Sequence, residues 1–534
     1  MEDASRYNTA QTALSALLLL TLIAAFVTLI REPRAAGLAV TTLQVAGGAV
    51  AIALPLGTLL AALVTRTNLP ARRFFIAAWC VLLFLPLYLQ ASAWDSGFGL
   101  QGWFTQWRAV PAARPEVWLA GLSAAIWLHA LAAIPWVMLI VGQGLRQAEA
   151  ELEEQALLDT SPAGVFWNVT LRRALPSILA AGLLVGVVTA GEMTITDIYR
   201  VRTYAEELYT NAALTADAVE LGLSIWPHIA IVAVLAALAA QAALWLVPIG
   251  DRVAPRRLWI FELGALRWPS FGLMLSLTIL ALGVPIGNLI YKAGLYINNS
   301  SGHAQQAWSA TRFAASTFPD RVNPARWEFA AEYYATLLIG FSAASGAVVI
   351  GAALAWAART GGWKATPALL LTAFGLAVPG PLVALGMIWL LNRPEPAMLP
   401  WLYDKTVFAP AMTIIVRTLP LTTMILWAAI RSIEQDQLDS AAAEGASSSQ
   451  QWWRVVLPQR WPAVAIAWLM SFAIAAGDLA ASILVIPPGR TTIANQIFLL
   501  IHAGVHNAEA GLCLGQLALF STLAIVVLAL WKAD

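Results

Sequence analysis

The sequence predicts an all-α integral membrane protein of about twelve transmembrane helices, laid out as two parallel six-helix repeats. Three observations predict it. Residues are 60% hydrophobic and 11% charged, and the mean hydropathy is +0.72, a balance suited to hydrocarbon rather than water. Apolar stretches long enough to span a bilayer, about 20 residues each, recur along the whole chain. Early landmarks also return at near-constant offset. Thr42-Leu43 with Gly57 reappears as Thr336-Leu337 with Gly351, Pro86 as Pro379, and Gly191-Glu192 as Gly477-Asp478.

In order, spans are expected near Ala10–Ile30, Leu38–Val64, Phe75–Ala93, Val117–Val141, Ser177–Ile198 and Leu221–Val247. A second set follows at Phe271–Tyr291, Tyr334–Ala358, Ala368–Leu391, Phe408–Ile430, Ala463–Val485 and Leu512–Leu530. The first stretch has no basic cluster before it and no small-residue cleavage site after Ile30, so it reads as a retained helix. The division is then residues 1–249 as one half, a polar and basic linker at 250–268, and residues 269–534 as the other half. Six helices per half give both halves the same orientation, about a pseudo-two-fold axis along the membrane normal.

Short loops carry Arg66, Arg72 and Arg73, Arg172 and Arg173, Arg252, Arg256 and Arg257, and Arg359 with Lys364. All fall on one side if both termini are cytoplasmic. Arg31 and Arg34, in a short loop on the other side, count against that orientation. Small-residue runs such as Ala46 to Ala53 and Ala343 to Ala358 fit close helix packing.

Two polar elbows interrupt the apolar pattern, at residues 145–176 and 431–462. In the second, helix formers run to Gly445, a residue able to close a helix in left-handed geometry. Ser447 then stands three before Gln450, the capping-box spacing, and the new helix is expected to stop near Leu457-Pro458. In the first, Ser161 precedes Pro162, a serine cap with proline at the first helical position. Aligned on the closing prolines, Glu153 matches Asp439, Ser161 matches Ser447, Trp167 matches Trp453 and Leu171 matches Leu457.

Asp439-Ser440-Ala441, Gly445 and Val455-x-Leu457-Pro458 resemble the EAA loop of the permease subunits of ABC importers, with Asp for Glu, Ser for Ala and Val for Ile. The first copy departs further: Glu153 is kept, but Asp159 replaces the glycine and Arg172 the proline. Aspartate tolerates left-handed backbone, so the break is expected to survive. The resemblance implies a fused, two-half, type I importer permease, in which Glu153, Asp159, Ser161 and Leu171 form one ATPase-coupling loop. Asp439, Ala441, Glu444, Gly445, Ser447, Leu457 and Pro458 form the other. It implies two copies of a separate ABC ATPase that carry ATP and Mg, and a periplasmic or lipid-anchored solute-binding protein. It places the chain in a bacterial inner membrane, multi-pass, with no cofactor of its own. Among such permeases the fused length is most similar to the ferric-iron group, with thiamine and other small solutes as alternatives.

The residues agree with a transport rather than a catalytic role. No Gly-x-x-x-x-Gly-Lys-Ser/Thr phosphate loop occurs, nor a Ser-His-Asp set or a cluster at metal-ligand spacing. The net charge of +1 argues against a nucleic-acid partner. A gradient-driven secondary transporter with parallel repeats remains the rival from another class. Glu192 and Asp478 sit at matching places about sixteen residues past each elbow's proline, some way beyond mid-membrane at roughly 1.5 Å per residue. Acidic groups there must face water or a partner, so each either lines a substrate path or caps a neighbouring helix. Arg417, just before Leu419-Pro420, either lines that path, pairs with Asp478 or bonds carbonyls freed by Pro420. His129 reads as a lone buried histidine, and Cys80 and Cys513 as packing residues. Trp94, Trp103, Trp107, Trp118, Trp401 and Tyr403 read as interfacial anchors.

Overall fold

A computed structural model of the chain describes residues 31–100, 102–108, 117–214, 226–236, 258–298, 305–318, 328–359, 365–504 and 506–531, and six positions between 20 and 28. The expected first span lies mostly outside these residues, and the sixth is described only over Trp226–Ala236. Among the described residues seven helices are long and apolar enough to cross a membrane, or nine if two bent pairs each count as one span. The architecture is an all-α membrane fold. One short antiparallel ribbon, Leu295–Asn298 with Gln305–Trp308, follows the Gly264–Gly294 helix.

The same order of elements appears twice. A long helix comes first, Pro33–Arg66 and then Ala330–Ala357. A bent pair follows, Arg72–Phe84 with Leu87–Phe98, and later Thr366–Ala377 with Gly380–Leu391. Next come Gly121–Leu145 and Phe408–Arg431, an elbow, and a 20-residue helix, Leu171–Ala190 or Leu457–Ala476. Tyr204–Leu214 and Ile493–Ala503 close the correspondence. Matching side chains make matching bonds: the hydroxyl of Thr42 accepts from Tyr204 N (3.2 Å), and that of Thr336 accepts from Ile493 N (2.9 Å).

The expected spans Ser177–Ile198 and Ala463–Val485 end as helices at Ala190 and Ala476, and two others are not continuous. Phe75–Ala93 and Ala368–Leu391 are each broken, with bends of 102° and 104°. The residues before the prolines explain it. Leu85 (ψ 119°) and Val378 (ψ 121°) are driven out of helical geometry by the ring of the next residue, and Pro86 and Pro379 then cap new helices.

Packing crosses between the two series of elements. A single large cluster gathers Val45, Phe75, Trp79, Leu128 and Val137 from the first with Phe472 and Ile497 from the second, and with Met274, Leu289 and Phe520 of the Gly264–Gly294 and His506–Trp531 helices. Polar side chains accompany it: Glu509 accepts from Lys292 (2.8 Å) and from Ser92, and Cys513 contacts the Ser92 hydroxyl at 3.4 Å. Trp94 belongs to this interior, edge-on to Trp127 at 5.5 Å, and is not an interfacial anchor.

Candidate functional site

The second elbow is built from local signals that agree. Helix Gln435–Ala443 buries Leu438 and turns Asp439 and Glu444 outward. Gly445 takes φ +87°, which lets Ala446 N donate to Ala441 O (3.0 Å) and Gly445 N to Ala442 O (2.9 Å). These are the two bonds of a Schellman stop. Two residues on, Ser447 Oγ accepts from Gln450 N (3.3 Å) and the Gln450 side chain accepts from Ser447 N (2.8 Å), completing a capping box. Gly445, Ser447 and Pro458 are exposed, and Ala441 and Leu457 are half-buried.

The new helix does not stop at Leu457-Pro458 as expected. It widens into a π turn, Trp452–Val456, and continues as Leu457–Ala476, with its kink at Arg460 (φ −117°, ψ 19°) just ahead of Trp461-Pro462. The first elbow has the same π turn at the matching place, Phe166–Thr170, followed by Leu171–Ala190. It carries Arg172 where the second carries Pro458, so the widened turn belongs to the repeat and not to that proline.

The first elbow differs at its tip and at its acid. Ser161 Oγ accepts from Gly164 N (3.3 Å) ahead of Pro162, the expected cap. The break is not left-handed, however. Among the described residues only Ala71 and Arg200 have positive φ outside glycine, so Asp159 does not supply that geometry. The chain turns through short-range bonds instead, Leu158 N to Gln155 O and Asp159 N to Ala156 O, both 3.1 Å. Asp159 and Ser161 are exposed, and Leu171 is half-buried. Glu153 is fully buried, bound to the Arg66 guanidinium and to Thr170 Oγ1 (2.5 Å). It is therefore absent from the elbow's outer surface, whereas its counterpart Asp439 is on it. Leu158, Trp167 and Trp453 supply exposed apolar surface on the two elbows.

The acidic pair lies at the far ends of the two 20-residue helices, about 30 Å from the elbows. Each carboxylate caps the turn that follows it. Glu192 accepts from Thr194 N (2.7 Å) and Ile195 N (3.0 Å), and Asp478 from Ala481 N (3.1 Å) and Ser482 N (3.0 Å). His129 is buried with Nε2 3.3 Å from Glu192, so it has a partner that its sequence neighbours did not suggest. Arg417 donates to Val378 O (3.4 Å), the carbonyl at the Val378-Pro379 break, not to one freed by Pro420. The two series meet here: a Cβ on Gly477 would come 2.4 Å from Pro86 Cγ, so only glycine allows this approach.

With this geometry in view, residues 347–532 match the family model described as "Binding-protein-dependent transport system inner membrane component". The match begins inside the Ala330–Ala357 helix and runs to the end of the last described helix, so most of the second series of elements is similar to that family. The match takes in the second elbow, its π turn and Asp478. No curated protein matches the chain. The matched segment lies in a chain with several membrane-crossing helices, and the helices from Pro33 to Leu214 repeat its order of parts.

Proposed function

We propose that the chain is the permease subunit of an ATP-driven, binding-protein-dependent importer in a bacterial inner membrane, with two permease halves fused in one polypeptide. The observation that carries this is the second elbow: a Schellman stop and a capping box inside the matched segment, presenting Asp439, Glu444 and Ser447 on an exposed surface. The two elbows are cytoplasmic and receive two copies of an ABC ATPase, which holds the ATP and Mg. Closure of that dimer pushes on the π turns. The 20-residue helices act as levers that carry the push to Gly191-Glu192 and Gly477-Asp478, where the two series of elements touch. A loaded binding protein docks on the opposite face, and the solute passes between the halves.

Because the carboxylates of Glu192 and Asp478 are engaged by backbone N–H groups, the centre shapes a passage rather than chelating the cargo. Ferric iron, handed over by the binding protein, is the substrate to test first, on the resemblance of the fused two-elbow chain to iron permeases. The test of the coupling role is Glu444→Arg, which adds no bulk to the core because Glu444 is exposed. It should abolish uptake and weaken copurification of the ATPase; full uptake would refute the assignment.

A further inference from the structure

The first elbow is held by something the second lacks. Arg66 ends the Pro33–Arg66 helix and is fully buried, as are Glu153 and Thr170. Its guanidinium meets both oxygens of Glu153 and donates to Leu145 O at 3.3 Å. Nη2 meets both carboxylate oxygens while Nη1 meets the carbonyl, so one planar group is fixed by two different elements at once, which a point charge could not do. The linker closes over this centre. Phe261 N donates to Arg66 O (2.8 Å), and the Phe261 ring lies 5.8 Å from the guanidinium and 5.8 Å, edge-on, from Phe166. Leu263 N donates to Asn68 Oδ1 at 3.0 Å. The end of one span, the elbow helix, its π turn and the linker thus share one buried centre.

The matching acid of the second elbow has no such enclosure. Asp439 is exposed and accepts from Gln435 on its own helix (2.8 Å). The elbow is seated by apolar packing, Leu438 and Val456 buried with Trp427 and Ile430 and Trp452 edge-on to Trp356 at 5.8 Å. Its polar ties to neighbouring elements include Trp356 to Ser448 (2.9 Å), Gln459 to Gln437 (3.1 Å) and Arg460 to Ser432 O (3.3 Å), all at exposed or half-buried positions, with no buried ion pair holding it among the described residues. The helix that follows is kinked at Arg460.

We propose that Arg66 is a positioning residue which, with the linker strap at 258–263 closed over it, sets the first elbow rigidly on its helices. The two elbows then transmit the ATPase's motion unequally, the first as a fixed bracket and the second as a compliant one. The inference rests on the coupling role proposed above and adds an asymmetry to it.

Hydrogen exchange on the assembled complex in lipid tests it. Backbone amides of 150–171 should exchange at least about tenfold more slowly than those of 435–457. Glu153→Gln, or the milder Phe261→Ala, should bring the first elbow's exchange up toward the second's and raise the ATP hydrolysed per solute moved several-fold. Arg66→Met combined with Glu153→Met removes both charges and keeps apolar volume, so it should restore both readouts. Equal exchange of the two elbows in the unaltered complex overturns the proposal. So does a lowered thermal stability with unchanged exchange and unchanged ATP ratio, which is a merely structural role. A double variant as defective as Glu153→Gln also overturns it, since Glu153 would then contact the ATPase itself. If Glu444→Arg leaves the ATPase bound, the failure belongs to the coupling reading, whatever the first elbow's exchange.

Discussion

Replacement of Gly445 offers a graded test of the second elbow. The residue sits at φ +87°, and a Cβ there would meet nothing within 4 Å, so the cost of a side chain is one of backbone geometry without steric clash. Holding an L-residue in left-handed geometry costs about 1–2 kcal/mol, less for asparagine, more for a β-branched side chain. If the elbow must keep its Schellman stop to seat the ATPase, that cost appears as weakened binding. At about 1.4 kcal/mol per factor of ten, Gly445→Ala should weaken ATPase binding roughly five- to thirtyfold. Gly445→Asn should lie between alanine and the natural residue, and Gly445→Val below alanine. The assay is titration of the solubilised chain with purified ATPase at fixed lipid and nucleotide. Binding that ignores the series, or an order with asparagine worst, would mean that the left-handed stop at Gly445 does not seat the ATPase.

Thr42→Val and Thr336→Val each strip the acceptor from a buried backbone N–H, of Tyr204 or Ile493, and should lower thermal stability by similar amounts, about 1–3 kcal/mol each. A loss from only one would mean that the repeat is not mechanically equivalent. Glu192→Ala and Asp478→Ala should each cost about 0.5–2 kcal/mol as lost caps, read by thermal unfolding in detergent, with solute affinity of the binding protein unchanged. His502 lies outside the spanning helices, 3.3 Å from Asp197, whose hydrogen bond holds the imidazole above its ordinary pKa. A raised folded-state pKa means the stabilisation is complete below about pH 6.5 and lost as pH rises through the raised value. The stability advantage over His502→Asn should therefore be larger at pH 6 than at pH 9; a gap that grows with pH would contradict the pairing.

The stop and start at the tip of the second elbow were legible because their signals are local. Gly445 and the Ser447–Gln450 spacing specify a stop and a start within a few residues, and the structure contains both bonds of each motif. The proline-broken spans were half legible. Pro86 and Pro379 were visible as repeat markers, but apolar length alone read through them as single spans, while the constraint on Leu85 and Val378 turned the chain by about a right angle. The π turns had no signature, since Phe166–Thr170 and Trp452–Val456 differ in composition and only one is followed by proline in the next turn.

Partners far apart in sequence were hidden altogether. Arg66 at the end of a span reads as an orientation charge, and nothing near it points to Glu153 or to Phe261. The same holds for His129 and Glu192, which meet only because two separate helices bring them to one depth. Glu192 and Asp478 were found by symmetry. Their capping role could be read only from the turns after them, since a Gly-acid pair looks alike whether it faces a passage or a backbone.

On the function proposed here, work done by a separate ATPase enters through the two elbows. The most direct test of this is uptake into sealed vesicles holding the purified chain, its ATPase and its binding protein, with ATP supplied on the ATPase side. Uptake should require hydrolysable ATP and persist when an uncoupler has collapsed every ion gradient. Uptake by the chain without the ATPase, rising with an imposed ion gradient and abolished by the uncoupler, would contradict that function.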